Sequence, residues 1–187
     1  MKTKIVFTLL LALALHSSLL AQTFNVDVAH SELGFKVKHL MISNVKGNFS
    51  NFTGSYELKE GKLLSLTGKV EVKSIDTGIE KRDNHLKSPD FFYTQKFPYM
   101  TFKMTKFKGD KVIGELTIRD ITKSVAFDAE VSGTVKDPWG HVRSAITLTG
   151  KINRMDYGLQ WNKALEAGGV VVGEEVKMEI ELEGIAQ

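Results

Sequence analysis

The stretch Glu174-Glu-Val-Lys-Met-Glu-Ile-Glu-Leu-Glu183 alternates apolar and charged residues almost without a break. A period of two places successive side chains on opposite faces of a strand. The stretch therefore predicts a strand with one apolar face and one charged face. Similar alternation predicts further strands over residues 24–28, 33–39, 51–58, 64–72, 100–105, 112–119, 122–135 and 144–153.

The predicted strands follow one another at intervals of about ten residues, with turn signals such as Lys108-Gly-Asp-Lys111 between them. Connections this short favour antiparallel pairing. Either a sandwich or a closed barrel would bury one face of every strand. Long strands favour a barrel of about eight strands, because closure removes exposed edges. Gly54 inside a predicted strand indicates a bulge or a bend.

The segment Glu80–Phe92 (EKRDNHLKSPDFF) breaks the alternation. The preceding Thr77-Gly-Ile-Glu80 has the form of a capping box, and Pro89 cannot continue a helix. We therefore predict a short helix over residues 78–87, inserted between strands. Such an insert in an all-β chain either caps a cavity or fills a gap.

The first 21 residues have the pattern of a secretory signal peptide. Lys2 and Lys4 precede an apolar run over 5–15, and Ala21 marks the expected cleavage site. The run is too short to span a bilayer comfortably. We predict that residues 1–21 are a signal peptide and that 22–187 form one exported domain without stable membrane insertion.

Composition excludes several classes of function. Without Lys2 and Lys4 the chain has 23 basic and 22 acidic residues, which argues against electrostatic nucleic-acid binding. The absence of cysteine excludes disulfides and thiolate chemistry. The histidines lack the spacing of a metal site, and no nucleophile motif is present. We therefore predict no metal, no cofactor and no catalytic residues.

A series of short motifs runs in order through the mature chain. They are Asp27-Val-Ala-His30-Ser31, Gly34-Phe35-Lys-Val37-Lys-His39-Leu40, Val45-Lys-Gly47-Asn-Phe49, Lys81-Arg82-Asp83-Asn-His85-Leu86-Lys-Ser88-Pro-Asp90-Phe91-Phe92, Phe97-Pro98-Tyr-Met-Thr-Phe102, Gly114-Glu-Leu116-Thr117-Ile118-Arg119 and Arg154-Met-Asp156-Tyr157-Gly158. Each motif is weak alone. Together, in this order and spacing, they resemble the YceI-like family.

The resemblance implies an extended, antiparallel, eight-stranded lipocalin-like barrel with one short helical insert. It also implies a YceI-like domain over 22–187 and a periplasmic location. Some members of the family hold a polyisoprenoid or a similar long amphiphile in a tunnel, so a bound isoprenoid or quinone is an expected ligand. Fold transfers between relatives more safely than function does.

The apolar residues that alternation turns inward have two interpretations. They could form a plain packed core, or they could line a tunnel for a lipid, and both arrangements use the same face. The resemblance favours the tunnel. The predicted tunnel residues are Phe35, Val37, Phe102, Met104, Leu116, Ile118, Phe127, Leu148, Met178 and Ile180.

The polar residues of the insert also have two interpretations. They could form a solvated helix face, or they could fix a ligand head group at the mouth of the tunnel, bordered by aromatic side chains. The predicted mouth residues are Arg82, His85, Phe91, Phe92 and Trp161.

The leading hypothesis is an exported, soluble carrier that sequesters one long-chain apolar molecule. A second is an enzyme that acts on a lipid-like substrate in the same cavity, with His85 or His39 as acid and base. A third is a structural or stress-related protein with a filled core. A transient membrane contact and a homodimer are left open as further interactions.

Overall fold

The computed structural model of the protein describes residues 21–166 and 168–187. Residues 1–20, which hold nearly all of the predicted signal peptide, lie outside the described residues, so that assignment stays a prediction. In the part of the chain that is described, no helix has the length and apolar character needed to cross a bilayer.

The described residues form twelve strands and one α-helix. The strands are β1 (Gln22–Val26), β2 (Glu32–His39), β3 (Ser43–Phe49), β4 (Phe52–Lys59), β5 (Lys62–Glu71), β6 (Ile75–Asp76), β7 (Tyr99–Lys108), β8 (Lys111–Ile118), β9 (Ile121–Val131), β10 (Val135–Lys136), β11 (Val142–Asn153) and β12 (Val172–Ala186). The helix is α1 (Glu80–Lys87), within the range predicted from the sequence.

The sheet closes on itself because β11 pairs with β9 on one edge and with β12 on the other. The closed circuit contains eight strands, in the order β11, β9, β8, β7, β5, β4, β1 and β12. This confirms the predicted antiparallel eight-stranded barrel with one helical insert. The barrel is extended because β12 is long. Its C-terminal part pairs with β1, and the rest of the same edge pairs with β2, which continues into β3 and β6.

One end of the barrel interior is filled by side chains. Phe24 and Tyr56 stack there with ring centroids 5.2 Å apart, and Phe24, Val112 and Ile146 are completely buried. The Tyr56 hydroxyl donates to the carbonyl of Ser144 at 2.7 Å, which satisfies its polar group inside the core. We call this the filled end, and the end beside α1 the helix end.

Helix α1 begins without the predicted capping box. Ile79 is the N-cap residue and makes no side-chain cap bond. The Thr77 hydroxyl instead donates to Asp83 and accepts from Nε of Arg82. Because Asp83 also accepts from the backbone N–H of Thr77, the buried carboxylate fixes the chain before the helix. The capping-box prediction was wrong because the Thr77 side chain is engaged by these two residues.

The predicted bulge at Gly54 is also wrong. Gly54 lies directly opposite Gly68 in a continuous β4–β5 register, and the irregularity falls between Glu57 and Leu58. Gly54 is needed for close approach, because a Cβ there would lie 2.7 Å from the carbonyl oxygen of Thr67.

Arg143 links three parts of the chain at the filled end. Its Nε donates to Asp137 at 2.8 Å, and its Nη1 donates to Asp27 at 2.9 Å and to Glu183 at 2.6 Å. The guanidinium lowers the pKa of the Asp137 carboxyl from 3.8 to about 2, and it also lowers the pKa of Asp27. Asp27, Asp137 and Glu183 therefore share one cation.

We expect this cluster to make the fold sensitive to acid. Because the pKa of Asp137 is lower in the folded chain than in the unfolded chain, its stabilising effect is complete above about pH 4 and is lost as the pH falls through about 2. The free energy of unfolding, measured by urea denaturation from pH 7 to pH 2, should fall across that window. The fall should be smaller in Asp137→Asn, and an equal fall in both proteins would contradict this role of the cluster.

Candidate functional site

An apolar cavity lies inside the barrel between the filled end and the helix end. It offers about 190 Å³ of space to the centre of a water molecule. A single water needs only about 10–15 Å³ by this kind of measure, so the space is suited to a larger guest. Its described lining is aliphatic, aromatic, glycine and threonine, with Arg154 as the one charged residue.

Nine of the ten predicted tunnel residues line this cavity. They are Phe35, Val37, Phe102, Leu116, Ile118, Phe127, Leu148, Met178 and Ile180. Met104 is not among the described lining residues and packs instead against the cluster that occupies the filled end. The structure thus brings the predicted set together around one space, and their role in binding a ligand stays a prediction.

Three phenylalanine rings lie against the barrel wall rather than across its interior. Phe35 and Phe127 lie over the backbone of their cross-strand partners Gly47 and Gly150, and Phe102 lies over Gly114. A Cβ at any of these glycines would collide with the ring. Glycine therefore lets each ring pack close to the backbone of the neighbouring strand, which leaves more of the barrel interior open.

Two glycines remove side chains from the inner face at one level of the cavity. Gly54 and Gly68 face each other on β4 and β5, and Gly68 also pairs with Phe102 on β7. Both glycines line the cavity. A Cβ on Gly68 would have a single neighbour within 4 Å, the carbonyl oxygen of Thr53 at 3.8 Å. Close packing therefore does not require glycine at position 68, and the absence of a side chain there enlarges the cavity.

The insert covers the helix end of the cavity. Leu86, Phe91 and Phe92 line it, and Phe91 is only 6% exposed. His85 and Trp161 pack against the Phe91 ring at 5.1 and 5.4 Å between centroids, so they lie outside the described lining.

Arg82 is also outside that lining, because its guanidinium donates to the hydroxyl and the carbonyl of Thr77. Of the five predicted mouth residues, Phe91 and Phe92 reach the cavity, and His85 and Trp161 support them from outside.

Sequence reasoning did not single out Arg154. It begins a short 3-10 helix (Arg154–Tyr157) at the helix end and is 3% exposed. Its guanidinium donates to three backbone carbonyls, those of Gly173, Leu159 and Val172. Burial lowers the pKa of this guanidinium below its ordinary value. Nothing local in the sequence marks an arginine that tertiary packing buries.

In the described ranges 21–166 and 168–187, one group of side chains brings metal-ligating atoms together, and a cation already occupies it. Asp27, His30 and Glu183 place ligand atoms within 4.8 Å of one another. Arg143 pairs with both carboxylates, so its guanidinium takes the place that a metal would need.

Comparison with known proteins identifies relatives over nearly the whole described chain. The family model of the YceI-like domain matches residues 24–184. The chain is 44% identical over 163 residues to the UPF0312 protein SA2479 of Staphylococcus aureus, and the match covers 86% of this chain and 95% of that protein.

Solved structures share the barrel. The Campylobacter jejuni YCEI protein superposes with a TM-score of 0.67 at 32% identity, covering 87% of this chain and 96% of that one. A polyisoprenoid binding domain from Saccharophagus degradans superposes with a TM-score of 0.65 at 16% identity, covering 88% and 98%. With the family model matching 24–184, the chain belongs to the YceI-like family.

Proposed function

We propose that this protein binds one long-chain amphiphile, such as a polyisoprenoid or an isoprenoid quinone, inside the barrel and carries or sequesters it in the periplasm. The cavity is the observation that carries this proposal. A barrel of this size can be filled completely by side chains, and the filled end shows that this chain does so where it needs a core. The proposed periplasmic location rests on the sequence of residues 1–21 and on the resemblance to the YceI-like family.

Burial of the ligand chain supplies the affinity in this proposal. At about 25 cal/mol per Å², covering about 300 Å² of apolar surface contributes about 7 kcal/mol before the costs of association. The cavity wall offers almost no polar partners, so the chain of the ligand would be held by shape and by the hydrophobic effect. A structural neighbour named as a polyisoprenoid binding domain supports the same ligand class.

The lining favours binding over catalysis. Among the described lining residues there is no His, Asp, Glu, Lys, Ser or Tyr, so the threonine hydroxyls have no general base beside them in that lining. His39 and His85, the two candidates in the enzyme hypothesis, are both outside that set. The filled-core hypothesis is disfavoured by the size of the cavity.

Displacement of a fluorescent fatty acid tests the proposal. Cis-parinaric acid becomes fluorescent in an apolar site, and a polyprenol or ubiquinone added afterwards should displace it at a stoichiometry near one. If the protein neither enhances the fluorescence nor releases the probe to either competitor, the proposed function is wrong.

We further propose that cargo is exchanged at a lipid surface through the β2–β3 turn. Leu40, Met41 and Ile42 are 36%, 52% and 83% exposed. Their turn follows β2, whose Leu33, Phe35 and Val37 line the cavity. Leu40 and Met41 both have positive φ, in a turn closed by the N–H of Ile42 donating to His39. A two-residue turn with positive φ at both positions favours Asn-Gly. Leu40 and Met41 are therefore not explained by the stability of the turn.

Removing the apolar character of this turn should weaken membrane binding. We expect wild-type protein to co-sediment with phosphatidylethanolamine–phosphatidylglycerol vesicles and the double variant Met41→Asn, Ile42→Thr to bind at least tenfold more weakly. Tenfold corresponds to about 1.4 kcal/mol, and complete burial of one apolar side chain already contributes about 1.5–3 kcal/mol. Asn tolerates positive φ, so folding should not suffer.

The control variant is Val135→Thr, since Val135 is 62% exposed on β10 at the filled end. Equal vesicle binding by wild type and the double variant would contradict a lipid contact. A wild-type dimer that dissociates in the double variant would assign the turn to a second copy of the chain instead.

A further inference from the structure

Arg154 is a charged group placed where the surroundings are otherwise apolar. Of the described residues that line the cavity, it is the one that carries a charge. Two other lining residues, Leu159 and Val172, supply carbonyl oxygens to its guanidinium. Arg154 therefore borders the cavity at the helix end.

The hydrogen bonds of Arg154 leave part of its guanidinium unused. Nε donates to Gly173 at 2.8 Å, Nη1 donates to Leu159, and Nη2 donates to Val172 at 3.2 Å. A guanidinium has five N–H groups. Within residues 21–166 and 168–187, one N–H on each terminal nitrogen has no acceptor. None of the ion pairs found there involves Arg154, and Glu174 acts on it only at longer range.

A buried cation without an acidic partner is costly. Transfer of an ion out of water costs several kcal/mol, and carbonyl dipoles offset only part of this. The three carbonyl bonds hold the chain at 154, 159 and 172–173 together, and they use three of the five N–H groups of the guanidinium. The full charge and the two remaining N–H groups are what an acidic ligand would use, since a guanidinium matches phosphate and carboxylate with paired bonds.

We propose that Arg154 binds the acidic head group, a phosphate or a carboxylate, of the amphiphile whose chain occupies the cavity. This inference rests on the proposed function. It sets the direction of the ligand, with the head at the helix end and the chain extending towards Phe52, Leu66 and Leu182 near the filled end. It also moves head-group recognition from Arg82, where the sequence suggested it, to a residue at the cavity.

Ligands that share a chain and differ in the head test the proposal. We expect the wild-type protein to bind geranylgeranyl phosphate at least tenfold more tightly than geranylgeraniol, or oleate at least tenfold more tightly than oleyl alcohol, by isothermal titration calorimetry. The pair that shows the preference identifies the head as phosphate or carboxylate. In Arg154→Gln the ratio of the two affinities should fall to less than about twofold.

Arg82→Gln is the competing variant, because Arg82 lies on the insert and outside the described lining. It should keep the preference for the acidic ligand. Loss of the preference in Arg82→Gln but not in Arg154→Gln would place the head group at the insert and overturn the proposal.

A measurement on the wild-type protein covers the case in which Arg154→Gln does not fold. The ¹⁵N–¹H signal of a buried arginine Nε, identified by its absence in Arg154→Lys, should shift with the acidic ligand and not with the alcohol. An equal response to both ligands, or equal affinity for both, would refute the role of Arg154 but not the proposed function. Failure of the wild-type protein to bind any of the four ligands would refute the proposed function itself, and the role of Arg154 with it.

Discussion

Gly68→Phe is expected to weaken ligand binding by at least about tenfold and to leave the protein folded. The inner-face position of Gly68, between Leu66 and Val70, directs a new side chain into the cavity. A Cβ there meets only the Thr53 carbonyl at 3.8 Å, and the residue does not have positive φ. Phenylalanine is also favoured over glycine in a strand, so the free energy of unfolding should be unchanged or slightly higher.

Gly133→Phe is the matched control for this variant. Gly133 is exposed in the segment between β9 and β10 and is not part of the described lining. Among the described residues, no atom would lie within 4 Å of a Cβ at this position. Cis-parinaric acid and polyprenol titrations of both variants give the comparison. Unchanged affinity in a folded Gly68→Phe would show that the ligand does not occupy the cavity.

Phe24→Ala is expected to destabilise the fold far more than Phe102→Ala. Phe24 is fully buried and stacked on Tyr56 at the filled end, so its removal leaves an empty space in a packed core. Such truncations cost about 3–5 kcal/mol. Phe102 is partly exposed and faces the cavity, where one side of its ring has fewer packing partners to lose. We expect its truncation to cost about half as much.

Urea denaturation of the two variants measures this difference. Phe102→Ala should change ligand affinity, whereas Phe24→Ala should alter stability with little effect on the affinity of the folded fraction. Equal losses of stability in ligand-free protein would mean that the interior is packed equally at both ends, which contradicts a cavity limited to one part of the barrel.

Alternation was sufficient for most of the strands because the apolar period is local, whereas the choice of a barrel over a sandwich came from strand length and from the family resemblance. In strands such as β8 and β12, the alternation of inward and outward residues can be read from a single short stretch of sequence. Short turns between successive strands imply antiparallel pairing. Strand β3 was not predicted. Its inward positions are Val45, Gly47 and Phe49, and a glycine in the middle of three positions hides the alternation. The reason for Gly47 is the Phe35 ring on the neighbouring strand, which the sequence of β3 does not contain.

The cavity could not be predicted from alternation. A packed core and a tunnel use the same inward face, and the difference lies in which residues meet across strands. Gly54, Gly68 and Phe102 open the interior only because the register places them side by side. Met104 illustrates the same limit, since its apolar position gave no information on how far along the barrel the cavity extends.

The polar part of the site depends even more on tertiary structure. Arg82 is prominent in the sequence because it stands in the charged insert, yet Thr77 engages its guanidinium. Arg154 begins one of the short motifs that carry the resemblance, but that motif does not reveal that carbonyl groups at 159, 172 and 173 surround its guanidinium. In both cases the partners of the guanidinium are set by the folded structure and cannot be read from the sequence around the arginine.

Mass spectrometry of an organic extract tests the central claim most directly. The protein should be purified from the compartment in which it occurs, without added lipid or detergent. We predict close to one equivalent of a single long-chain amphiphile per chain, absent from extracts of Gly68→Phe prepared in the same way. An extract with no such compound, from protein that also fails to bind added quinones and polyprenols, would contradict the account.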